Sequence, residues 1–121
     1  MASTDSTLVG GIVTADGAPA IVTLYRLVPR VTAAFDATIV AVAAVDGTSA
    51  MWNMLGLAKM DDQGVLTLVS SIQLVVNPKD SGAMSWTVAL STEGAFITAS
   101  LAGAEATEIT WTLQSSVVLA P

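Results

Sequence analysis

The sequence predicts an all-β fold, a single-domain antiparallel β-sandwich of about eight strands. Apolar residues alternate with Thr, Ser and other small residues in short runs, and the breaks between runs hold most of the Gly and Asp. The clearest run is Ile109-Thr110-Trp111-Thr112-Leu113-Gln114. There the large apolar side chains fall on one face and the polar ones on the other, as the two-residue period of a strand requires.

Working outward from that run, strands are expected near residues 7–14, 20–27, 35–45, 48–60, 65–76, 83–91, 95–101 and 107–119. Their connections include Ala15-Asp16-Gly17, Asp46-Gly47 and Asp61-Asp62-Gln63-Gly64, followed by residues 77–82, 91–94 and 102–106. Each holds residues that tolerate positive φ or hydrogen-bond their own turn, so consecutive hairpins are the simplest topology. Gly10-Gly11 lies inside the first strand and reads as a bulge, because it lacks the Gly spacing and following helix of a phosphate cradle. Over residues 31–44 the frequent Ala admits a helix, but the β-branched Thr38, Ile39, Val40, Val42 and Val45 favour a strand. Residues 1–6 are expected as a flexible arm and 7–121 as the sandwich.

The run 48–60 is apolar on both parities, with Met51, Leu55 and Leu57 on one and Trp52, Met54 and Ala58 on the other. One face of a sandwich strand meets the core. The second face therefore calls either for a further layer or partner subunit, or for a covering loop or bulge.

Composition narrows the function. The chain has 121 residues, 53% of them hydrophobic and 12% charged, against about 25% charged in ordinary soluble domains. Disorder is excluded, since it needs the opposite balance. No apolar run approaches the roughly 20 residues of a spanning helix, and residues 1–7 lack a basic-then-apolar leader. A net charge of −6 with four basic residues argues against a nucleic-acid surface. With no Cys, neither disulfides nor thiolate metal sites are available, and the fold must be held by packing.

His is also absent, which removes the commonest general base, the commonest metal ligand and every Ser-His or Cys-His pairing. Asp16, Asp46, Asp61, Asp62, Asp80, Glu93 and Glu105 fall in expected turns, where stabilising the turn is their ordinary role. Asp61-Asp62-Gln63-Gly64 lacks the acidic alternation of a calcium loop, and no buried acid pair for glycoside hydrolysis is evident. No catalytic, cofactor-binding or metal-binding residue is assigned. Trp86 and Trp111 share parity with Val88, Leu90, Ile109 and Leu113 and are expected in the core, while Trp52 could stack on a sugar if exposed. Asn53 and Asn77 are not glycosylation acceptors, because neither begins Asn-X-Ser/Thr.

From residue 50 to 119 a further pattern runs in order: Met51-Trp52, the acidic-Gly turn at 61–64, Val65-Leu66-Thr67-Leu68-Val69, Lys79-Asp80-Ser81-Gly82, Trp86-Thr87-Val88, Gly94-Ala95, Leu101-Ala102-Gly103-Ala104 and Ile109-Thr110-Trp111. In this order the second half resembles a β-sandwich domain of structural proteins of tailed bacteriophages, often found at the C-terminal end of tail or fibre components. That family often continues past the last Trp with charged residues, whereas residues 112–121 here are uncharged. The resemblance implies a virion building block, made in the host cytoplasm, and carries no catalytic or cofactor residues.

The leading expectation is a non-enzymatic capsid decoration or cement protein, a homo-oligomer such as a trimer that stabilises a larger viral shell. It treats the chain as self-contained from Met1, without a stalk. The alternative is a tail or tail-fibre component, including a receptor- or glycan-binding module, and a polysaccharide-degrading domain is the third. Neither nucleic acid nor membrane is an expected partner. The candidate interface comprises Arg26, Arg30, Met51, Trp52, Met54, Leu55, Val117, Val118 and Leu119.

Overall fold

The computed structural model describes residues 3–73 and 78–121, with side-chain surroundings described for 10–69 and 78–121. Eight strands follow one another: β1 (Ser3–Thr14), β2 (Ala20–Arg26), β3 (Thr32–Ala43), β4 (Ser49–Met60), β5 (Leu66–Gln73), β6 (Thr87–Glu93), β7 (Phe96–Ala102) and β8 (Ile109–Ala120). A short 3-10 turn, Ser81–Ala83, precedes β6. The strands form two antiparallel sheets, β1-β8-β3-β4-β5 and β2-β7-β6. The all-β sandwich is therefore observed.

Three expectations change. The chain is not a simple meander: β8 inserts between β1 and β3, and β2 leaves its sequence neighbours to pair with β7. Alternation assigns a residue to a face but does not name the strand beside it. Residues 3–6, expected in a loose arm, pair in β1 with residues 116–119 of β8. Ala83, expected in a strand, lies in the 3-10 turn, where Ala83 N–H donates to Asp80 O and Trp86 N–H to Ala83 O. The expected strand end at 74–76 and Asn77 lie outside the described residues.

The helix alternative over 31–44 gives way to β3, the centre of the larger sheet. Small and large residues interleave on its inner face: Ala41 stands between Trp111 of β8 and Ala50 of β4, and Ile39 between Leu113 and Trp52. Small residues on the central strand make room for flanking tryptophans, a packing reason for an Ala-rich strand. Gly56 obeys the same logic. It faces Phe35 across the β3–β4 ladder, and a Cβ there would come within 3.0 Å of three ring atoms.

The bulge at Gly10-Gly11 is present as a register shift between Val9 and Ile12, with Gly11 at φ 72°. Positive φ costs glycine nothing, and the extra residue bends β1 along β8. Between the sheets lies one core, in which Trp52 and Trp111 stack at 5.5 Å and Trp86 tilts against Trp111 at 6.3 Å. Trp111 Nε1–H donates to Thr14 Oγ1 at 2.9 Å, satisfying a buried donor across the β1–β8 ladder.

Candidate functional site

Because alternate residues of a strand face opposite ways, burying Trp52, Met54 and Ala58 forces Met51, Leu55 and Leu57 onto the outer face of the larger sheet. The ladder registers bring Val40 beside Met51, Val42 beside Ser49, and Val118 beside Ala34, which pairs in turn with Leu57. Val40, Val42, Met51, Leu55, Leu57 and Val118 are all exposed. Outward positions of β3, β4 and β8 carry only two charges, Asp36 and Lys59. Asn53 Nδ2–H₂ donates to Asp36 Oδ1 at 3.1 Å and to Thr38 Oγ1 at 2.9 Å, a polar clip in the middle of an otherwise weakly solvated surface.

Of the residues expected at an interface, Met51, Leu55 and Val118 meet on this face. Trp52, Met54 and Val117 point the other way and are buried, so their side chains belong to the core and not to the outer surface. The doubly apolar strand is thus half core and half open surface. Arg26 and Leu119, far apart in sequence, line one cleft of about 180 Å³ at the end of the sandwich. Arg30 is exposed nearby in the left-handed region, at φ 66°, with its N–H donating to Met60 O. Val40 and Val42 were absent from the expected set. Their outward parity on β3 follows from the two-residue period of the strand.

All three tryptophans are at most 1% exposed, which leaves no tryptophan platform for a sugar. Lys79 seals part of this cluster: its Nζ donates to Trp86 O at 2.8 Å and lies 5.1 Å from the centre of the Trp52 ring. Three of the expected turn acids serve their own turns, while Glu93 falls inside β6 and the Asp80 carboxylate accepts from Ser49 N–H. Asp16 Oδ1 accepts from Ala18 N–H, and Asp61 Oδ1 accepts from Gln63 and Val65 N–H. Asp46 Oδ1 accepts from Thr48 N–H at 2.9 Å. Hydrogen bonds from the Thr48 backbone and hydroxyl hold the Asp46 carboxyl below its ordinary value of 3.8. Among the described residues no group of three or more His, Cys, Asp or Glu is placed to hold a metal ion.

Fold and surface together define a small all-β sandwich whose larger sheet presents a nearly uncharged outer face, with exposed aliphatic side chains set among Thr, Ser, Asn and Gln. No protein-family model matches the chain, and no curated protein matches it. Solved structures with a similar course include the tailspike protein of Acinetobacter baumannii phage AM24, at 12% identity and a TM-score of 0.42, covering 96% of this chain and 26% of that one. The tailspike protein of Acinetobacter phage vB_ApiP_P1 follows at 14% identity and a TM-score of 0.38, covering 91% of this chain and 20% of that one. The chain thus spans well under a third of either tailspike.

Proposed function

We propose that this chain is a structural module of a tailed-phage particle, seated at the tail, and that it works by assembly and not by catalysis. The observation that carries the assembly reading is the outer face of the larger sheet, where Val40, Val42, Met51, Leu55, Leu57 and Val118 lie open with only two charges around them. The three strands β3, β4 and β8, of 12 residues each, spaced ~4.8 Å apart and rising ~3.3 Å per residue, span about 14 by 40 Å. That is a large part of the roughly 800 Å² per partner of a standard interface. A partner chain of the particle covering this face would supply the solvation that the composition lacks, and each copy would stabilise the assembled state by mass action.

Placement at the tail rests on the ordered motifs of residues 50–119, whose resemblance is to domains often found at the end of tail or fibre components. The capsid-decoration placement has no observation that favours it over the tail. Quantitative mass spectrometry of purified particles and of separated tails tests this directly. The expected result is a handful of copies per particle, co-fractionating with tails. Hundreds of copies on the shell would return the protein to a cement role, and absence from particles would overturn the virion reading.

A further inference from the structure

The strand directions sort the loops into two ends of the sandwich, and charge is divided between them. One end holds the 15–19, 44–48 and 103–108 connections and the 78–86 segment. It carries Asp16, Asp46, Asp80, Glu105 and Glu108, all exposed. Its lone cation, Lys79, is half-buried and directed to Trp86 O and the Trp52 ring. The other end holds the 27–31, 61–65 and 94–95 connections, with Arg26, Arg30 and Lys59, three of the chain's four cations. Asp61, Asp62 and Glu93 also lie there, so this end is balanced in formal charge while the first is net negative.

Apolar shape follows the same division. At the acidic end the tip of the β3–β4 turn is Val45, 84% exposed, the most exposed large apolar side chain among those described, with Asp46 next to it. At the other end the cleft of about 180 Å³ is lined by Tyr25, Leu27, Val28, Val31, Leu119 and Pro121, with Arg26 among them. A cleft of that size holds the volume of about six waters, room enough for a valine side chain.

From this complementarity we infer that the cleft receives Val45 of a second copy of this chain, with the Asp46 carboxylate of that copy against the Arg26 guanidinium. The contact is head-to-tail. Each copy keeps one free knob and one free cleft, so association continues into a rod or closes into a ring. A net charge of −6 opposes association in most orientations, while this one sets the acidic end against the charge-balanced end that holds Arg26. The Thr48 hydrogen bonds fix Asp46 in place and keep it ionised. The contact uses neither β3, β4 nor β8 outer-face residues, so it stands apart from whatever covers the sheet.

Sedimentation velocity over a concentration series tests it on the full chain. The wild type is expected to grow beyond a dimer with concentration and to fall back toward monomer in about 1 M salt, where the Debye length is about 3 Å. Val45→Asp, with Val45→Ser as a milder variant, and Arg26→Glu should each weaken self-association by at least about tenfold. Circular dichroism and tryptophan emission should stay unchanged in these exposed-site variants. Val45→Asp keeps a working cleft and Arg26→Glu keeps a working knob, so an equimolar mixture should form heterodimers and stop there. A symmetric face-to-face contact cannot give that result. Leu55→Lys should self-associate like the wild type. A wild type that remains monomeric up to about 1 mM, or a mixture that forms no heterodimer, would overturn the proposal.

Discussion

On β4, inward positions hold Ala50, Trp52, Met54 and Ala58, while outward positions hold Met51, Leu55 and Leu57. The two sets are similarly apolar, yet one is sealed between sheets and the other lies open. Shape distinguishes them. The inward set mixes large and small residues and meets Ala37, Ile39 and Ala41 on β3, so tryptophans from β4 and β8 can stack across a narrow central strand. The outward set consists of long flexible chains with no second layer above them, a surface suited to a partner's contours. Apolar character alone therefore does not decide what a sheet buries. The second sheet, which covers only one face, does.

Removing the centre of the inward face is expected to have the largest effect. Trp111→Ala deletes the ring that touches both other tryptophans and takes the donor from Thr14, and a loss of about 3–5 kcal/mol in urea unfolding is expected. Its outward neighbour gives the control. Thr112→Ala should stay within about 0.5 kcal/mol of the wild type. Equal losses at 111 and 112 would break the contrast between the faces.

Gly56→Ala probes the same contrast with one added methyl group. The new Cβ would enter the Phe35 ring, which is itself buried, so the ring or the ladder must shift. Overpacking of this kind costs about 1–3 kcal/mol. Pairing it with Phe35→Leu should recover part of the loss by thinning the group that the methyl meets. A variant as stable as the wild type would mean that the inward face has slack, and the contrast in packing would weaken.

Much of this division was legible before any coordinates. The split of 48–60 into two apolar parities, the inward placement of Trp86 and Trp111, the Gly10-Gly11 bulge and the turn duty of Asp16, Asp46 and Asp61 all follow from local rules, because period and turn chemistry are set by near neighbours. What stayed hidden was non-local. The insertion of β8 between β1 and β3 depends on pairing residues roughly 65 to 115 positions apart, and alternation is the same whichever strand lies alongside. Both parities of β4 being apolar, the sequence does not say which one faces out, so alternation alone cannot separate Trp52 and Met54 from Met51 and Leu55. The cleft joining Arg26 to Leu119 is likewise a product of tertiary folding, with no local pattern to announce it.

The smallest expected effect on stability is at the outward face, and it is the one that bears on function. Leu55→Lys places a charge on an exposed position beside Asp36, its ladder partner on β3. The side chain can extend into water, so unfolding stability should move by no more than about 0.5 kcal/mol. Incorporation into particles should nonetheless fall, because an interface that covered the sheet would have to bury that ammonium group. Competition between wild-type and Leu55→Lys protein during particle assembly, read by mass spectrometry, separates the two quantities. Equal incorporation would detach the outer face from assembly. A large loss of stability would mean instead that Leu55 already supports the fold, and that the two faces of β4 differ less than their burial implies.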